Sequence, residues 1–270
     1  MKYVCKFIRI GSISGIYYSA GSTNTVVVYG IGAPMVPDSG NLPDASILLK
    51  HGVDIFVPDY IGYARSDGIF TPKNCIETFL RLFKVFREGC VGKNYYENTI
   101  IKLKYQKVIF IGRSLGGTYV PLLPRFNPQI QELAIFCPVV NSKSCGSMKG
   151  EETNEDFLRS MKGDGYHYLY RGILNKQWKK HLANKDDLSP MDNIAFLKDA
   201  MLFIAHGKKD ACVHYSKSIA YYKKILQMFP NKKGEVVLRL YPKGDHGSST
   251  TNQATNDFMR WLRERGLLLK

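Results

Sequence analysis

The chain has 270 residues, 44% of them hydrophobic and 23% charged, which is the balance of a globular fold with a sizeable core. Its 38 lysines and arginines against 23 aspartates and glutamates give a formal charge of +15, but the basic residues are scattered and not grouped with aromatics, so a solvated basic surface is expected and specific nucleic-acid binding is not. No apolar run reaches the length of a membrane span, Lys6 and Arg9 break any signal-peptide core, and the six cysteines form no C-x-x-C pair or zinc spacing, so the expectation is a cytoplasmic protein with reduced thiols and no metal.

In chain order, Tyr3–Ile10 and Ile13–Tyr18 read as two strands joined through Gly11 and Ser12. Thr25–Tyr29 is a fully apolar strand that runs into the glycine-rich loop Gly30, Ile31, Gly32, Ala33, Pro34. A short helix from Pro43 to Lys50 precedes the strand Asp54–Pro58. Thr71 and Pro72 then open a helix whose Ile76, Phe79, Leu80, Phe83 and Phe86 recur at helical spacing and belong to the core. A polar connection through Tyr95, Tyr96 and Asn98 leads to the strand Val108–Ile111 and to a helix broken by Pro121 and Pro124. Leu133–Phe136 is the next strand.

From Val139 to about Asn193 the alternation of strand and helix lapses. An insert of this length beyond the strand ends suits a lid, whose Tyr166, Tyr168, Tyr170 and Trp178 either line a pocket or anchor the insert to the body. Its acidic run, Glu151, Glu152, Glu155 and Asp156, reads as a solvated face ahead of the alternative, an acidic pair that would recognise a peptide amino terminus. The sheet resumes with Ala200–Ala205, followed by a helix Ser216–Phe229, the strand Val236–Tyr241 and a closing helix Thr250–Arg265. The alternation predicts one α/β domain over residues 1–270, a mostly parallel sheet with helices on both faces and an insertion at about 139–193.

The chemistry gathers at Gly112, Ser114 and Gly116, which spell G-x-S-x-G directly after a buried strand. A turn from strand to helix this tight forces the serine into a strained conformation and leaves room only for hydrogen two residues either side. A serine hydroxyl needs a base, and the base needs a carboxylate to fix its tautomer. Of six histidines, His246 alone lies in a glycine-rich loop just beyond the last strand. Asp210 follows the strand Ala200–Ala205 by a short loop at the same sheet edge, whereas Asp245 neighbours His246 and points elsewhere, and Asp192 and Asp199 fall at the opposite edge. The backbone N–H of Leu115, with that of Ile31 from the loop after the third strand, is the candidate oxyanion hole.

The order Ser114, Asp210, His246 and the strings YGIG, VPDYIGYARSDG, GRSLGG, AHGKKD and GDHG make almost the whole chain resemble the α/β-hydrolase family. The string DDLSPMDN is similar to the catalytic domains of its prolyl-oligopeptidase-like branch and related esterases. One departure is Tyr29-Gly30, where many relatives carry His-Gly; another is the lack of room for the propeller of the larger oligopeptidases. The resemblance implies an α/β-hydrolase fold and acyl transfer from Ser114 with His246 and Asp210, without a cofactor. A carboxylic ester or thioester is the first expected substrate, a short peptide the second, and ligand binding without turnover is the alternative outside catalysis.

Overall fold

The computed structural model describes residues 3–163, 166–173 and 176–268. Strands β1 (Val4–Ile10) and β2 (Ile13–Ser19) form the predicted hairpin, with Ile10 opposite Ile13. They join β3 (Thr25–Gly30), β4 (Asp54–Pro58), β5 (Cys90–Asn94), β6 (Thr99–Leu103), β7 (Lys107–Arg113), β8 (Glu132–Phe136), β9 (Met201–Gly207) and β10 (Val236–Tyr241) in one ten-stranded sheet of order β10-β9-β8-β7-β3-β4-β2-β1-β5-β6. From β10 to β4 every neighbouring pair is parallel, and from β4 to β6 every pair is antiparallel. The inner parallel strands β3, β4, β7, β8 and β9 are buried on both faces, which is why they read as largely apolar runs, whereas the edge strand β10 is partly open.

The polar connection predicted around Tyr95 is in fact the hairpin β5–β6, added to the outer edge of β1. The Asn94 Oδ1 accepts the N–H groups of Tyr96 (3.0 Å) and Glu97 (3.3 Å), and Asn98 takes φ 49° to close the turn. Both strands lie mostly in solvent, so neither carries the apolar pattern that marks the rest of the sheet.

The helices α1 (Ala45–Lys50), α2 (Pro72–Glu88), α3 (Leu115–Tyr119), α4 (Leu123–Phe126), α5 (Asn154–Lys162), α6 (Lys176–Leu182), α7 (Ser216–Met228) and α8 (Ser248–Glu264) fill the connections. The Thr71 hydroxyl caps α2 by accepting from the N–H of Asn74 at 3.1 Å, as its sequence position suggests. Phe110 of β7 meets Phe79 of α2 edge-on, and Phe203 of β9 packs on Phe258 of α8. In register, Phe110, Leu133 and Leu202 share one face, so Phe203 points to the other and α2 and α8 cover opposite faces. Among the described residues no helix is long and apolar enough to cross a membrane.

The segment between β8 and β9 holds α5 and α6. Its aromatics anchor it to the body: Tyr170 stacks on Tyr63 at 4.6 Å, Trp178 stacks on Phe70 at 4.9 Å, and the indole N–H of Trp178 donates to the Phe70 carbonyl at 2.8 Å. Of the two roles open to them, Tyr170 and Trp178 take the anchoring one, while Tyr168 is exposed.

Candidate active site

Ser114 sits between β7 and α3 at φ 52° and ψ −116°, left-handed backbone that a serine adopts only when the surroundings impose it. Its N–H donates to the Phe136 carbonyl of β8 at 2.9 Å. The flanking glycines are required by space: a Cβ on Gly112 would lie 2.3 Å from the Gly116 carbonyl oxygen, and one on Gly116 would lie 2.4 Å from that of Gly30. Tyr29 turns away and its hydroxyl donates to buried Asp44 at 2.7 Å, a carboxylate that also receives Thr251 (2.9 Å) and Thr255 (3.1 Å) from α8.

Asp210 leaves the end of β9, and His246 leaves the loop after β10. The two meet with Nδ1 of His246 2.7 Å from Oδ2 of Asp210. The Asp210 side chain is fully buried, and the His246 ring keeps about a fifth of its surface open, 20%. The other carboxylate oxygen, Oδ1, accepts the N–H groups of Cys212 and Val213, both at 2.9 Å. Burial alone pushes the Asp210 carboxyl up, but hydrogen bonds from His206 and His246, the His246 charge and the Val213 N–H outweigh it and hold the group well below the usual carboxylate range. Asp245 is occupied within its own loop by Gly247 N–H and Ser249, and Asp192 is taken by Asn184.

Ser114 and His246 face one cavity of about 260 Å³. No hydrogen bond joins the Ser114 hydroxyl to the His246 ring among the described residues. Its wall includes Gly32, Ala33, Met35, Leu115, Val139 and Leu182, and from the segment between β8 and β9 it receives Glu152, Phe157 and His181. Leu115 opens α3 directly after the serine and lines the cavity. Ile31 is buried, and its carbonyl accepts the Tyr60 hydroxyl at 2.8 Å; Gly32, one residue on, approaches so closely that a Cβ there would lie 2.9 Å from the Ser114 Cβ.

Four neighbours were given no role at the site from the sequence. Arg113 donates from Nη2 to the His246 carbonyl at 2.9 Å, tying the residue before the serine to the histidine loop. His206, inside the string AHGKKD, brings Nε2 to 3.1 Å from Asp210 Oδ2, the oxygen that also meets His246. His181 forms a second histidine–carboxylate pair, Nδ1 to Asp186 Oδ2 at 2.9 Å. The acidic run is a solvated face only in part: Glu155 is exposed and Asp156, which completes a capping box with Thr153, stays partly exposed, but the Glu151 side chain is buried in an ion pair with Lys217 and Glu152 reaches the cavity. Burial pushes the Glu152 carboxyl up, Asp156 and Asp210 add to that, and the His246 charge opposes it.

Cys137, Asp210 and His246 place three metal-type donor atoms within 4.8 Å of one another. The carboxylate already accepts from two backbone N–H groups and faces two imidazoles, so an ion there would have to displace the His246 ring, and the donor set fits hydrogen bonding better than ligation.

Residues 97–265 match the prolyl oligopeptidase family. The chain belongs to that family of α/β-hydrolases. Its fold is similar to that of the Pyrococcus horikoshii acylaminoacyl peptidase, at 15% identity and TM-score 0.65, with 98% of this chain covering 41% of that one. It is similar over 97% of its length, and 90% of the other chain, to a Pyrococcus furiosus esterase at 16% identity and TM-score 0.61. A serine hydrolase involved in carbazole degradation aligns over 98% of this chain and 100% of its own, at 15% identity and TM-score 0.61. Comparison with curated proteins finds no match. This hydrolase therefore spans less than half of the acylaminoacyl peptidase and nearly all of the two smaller enzymes.

Proposed function

We propose that this chain is a serine hydrolase that cleaves a carboxylic ester or thioester through an acyl-enzyme. The observation that carries the reading is the His246–Asp210 pair, 2.7 Å apart, opening on the same cavity as a strained Ser114. Asp210 holds Nδ1–H of His246, which leaves Nε2 as the base. Ser114 attacks the acyl carbonyl while Nε2 takes its proton, and the N–H groups of Leu115 and Ile31 receive the developing oxyanion. The His246 imidazolium then protonates the leaving group, and water repeats the sequence to free the acid. The cavity also holds Cys145 and Cys212, but burial pushes both thiols up to about 11, so neither supplies a thiolate at neutral pH.

The cavity favours a small ester. Its 260 Å³ lies below the range of about 300–1,000 Å³ usual for drug-sized ligands, and most of its wall is apolar. A peptide amino terminus would call for an acidic pair, and of the run in the insert only Glu152 faces the cavity. In this reading residues 139–193 are the lid of a single domain. The family match keeps a peptidase as the second reading.

The test is hydrolysis of a chain-length series of p-nitrophenyl esters beside aminoacyl and prolyl amides, with wild type and Ser114→Ala. Turnover of short esters that vanishes in the variant, with amides untouched, is the expected result. Faster amide cleavage would put the peptidase first. Absence of serine-dependent turnover on both sets would favour a ligand-binding protein.

A further inference from the structure

His206 is fully buried on β9, and every polar atom of its ring has a partner. Nε2 lies 2.9 Å from the Val213 carbonyl oxygen and 3.1 Å from Asp210 Oδ2, while Nδ1 lies 2.7 Å from the Ser218 hydroxyl of α7. The carbonyl and the carboxylate can only accept, so the proton must be on Nε2. Ser218 is also fully buried and its hydroxyl has no other partner among the described residues, so that hydroxyl donates to Nδ1 and fixes the same tautomer. Val213 in turn donates its N–H to Asp210 Oδ1, so His206 holds both the carboxylate and the loop that wraps it.

We propose that His206, set by Ser218, is a positioning residue for the acid: its shared Nε2–H keeps Asp210 turned toward His246 and withdraws part of the carboxylate charge from the His246 imidazolium. This rests on the hydrolase reading. A tie to Val213 alone would hold the loop but would not draw on Oδ2, the oxygen that faces His246. The chain Ser218, His206, Asp210, His246 then runs from α7 to the cavity that Ser114 also faces. The charged or titratable groups packed around Asp210 are Arg113 at the end of β7, Cys137 after β8, whose thiol also lies beside the carboxylate, Glu152 on the segment before α5, Cys212 on the loop after β9, and Asp245 and His246 on the loop before α8.

The sign follows from sharing. Without the His206 N–H, Asp210 holds the imidazolium more tightly, so the free base is lost at a higher pH and the acid limb of kcat/KM moves up. The experiment compares wild type with His206→Leu, His206→Gln and Ser218→Ala, using the p-nitrophenyl ester cleaved best. His206→Leu should lower kcat by about ten- to a hundredfold, the scale of a hydrogen bond to a charged group, with KM little changed and the acid limb displaced upward. His206→Gln, whose amide nitrogen reaches the place of Nε2, should restore most of both. Ser218→Ala, the gentler change should His206→Leu not fold, should move kcat and the acid limb in the same direction by less.

Nitrogen-15 spectra of uniformly labelled wild type supply a readout that needs no turnover: His206 should show a protonated Nε2 and a bare Nδ1. A wild-type acid limb in folded His206→Leu or Ser218→Ala, a Gln variant as impaired as Leu, or a protonated Nδ1 would each overturn the proposal. Lack of Ser114-dependent turnover in wild type would instead defeat the hydrolase reading, and the nitrogen-15 spectrum would still decide the hydrogen-bond assignment.

Discussion

Two histidine–carboxylate pairs open on one cavity, and they are built alike but housed differently. His246 and Asp210 are 2.7 Å apart, His181 and Asp186 are 2.9 Å apart, and in both the bond runs from Nδ1 to Oδ2. Asp210 lies at the end of a buried strand with its side chain shut off from water, and His246 hangs from a loop with its ring partly open. His181 sits in the last turn of α6 with only 3% of its side chain exposed, stacked on Tyr119 and edge-on to Trp178, each at 5.7 Å between centroids. Its Nε2 faces the Tyr119 hydroxyl at 3.5 Å. The first ring reaches the cavity that Ser114 also faces and keeps part of its surface open; the second is clamped between aromatics. In the proposed reading the housing of the pair separates a base from a brace.

Exchanging each acid for its amide is the sharpest way to break this comparison. Asp210→Asn should lower kcat by about ten-thousandfold, because the amide favours the wrong tautomer of the base, whereas Asp186→Asn should cost less than about tenfold in ester turnover. Comparable losses in both would mean that the second pair takes part in the chemistry.

Gly32→Ala separates the two pairs by space. Its Cβ would meet the Ser114 Cβ at 2.9 Å and Oγ at 3.3 Å, and no atom of the aromatic clamp is among its nearest neighbours. We expect about a hundredfold lower kcat, the scale of a displaced oxyanion donor, with an unchanged melting temperature. A large drop in melting temperature would show that the contact supports the fold as well as the nucleophile.

The brace should reveal itself in stability. Asp186→Asn removes a hydrogen bond to a charged group and should cost about 1.5–3 kcal/mol in urea unfolding. Burial raises the Asp186 carboxyl, but the His181 hydrogen bond and charge outweigh it and hold the group below its ordinary 3.8. A depressed carboxyl contributes stability that is complete above the unfolded value and fades as pH falls through the lower folded value. The wild-type advantage over Asp186→Asn should therefore begin to shrink below about pH 4 and vanish only below the lower folded value. An advantage that did not change with pH, or that was already lost above the ordinary carboxylate range, would contradict the pairing.

The pair legible in the sequence was the one whose placement depends on strand ends. Gly112, Ser114 and Gly116 announce a turn that is determined within five residues, and Asp210 and His246 each follow an apolar strand at a set distance. His181 and Asp186 belong to a segment without strand alternation, where only the tertiary fold brings Tyr119 and Trp178 around the ring. The hairpin β5–β6 was hidden for a related reason: as an edge it exposes Val91 and Ile100 to solvent, so burial wrote no pattern into it. His206 was visible only as a rival base, since a sequence shows a histidine near an acid but not which side of the acid it occupies.

The most direct measurement is the intact mass of the protein after reaction with a fluorophosphonate, followed by peptide mapping. This account predicts one adduct, on Ser114, that is lost in Ser114→Ala, forms far more slowly in Asp210→Asn and forms at nearly the wild-type rate in Asp186→Asn. A folded protein that forms no adduct, or one that carries it on another residue, would contradict the assignment of Ser114, His246 and Asp210 as the machinery of hydrolysis.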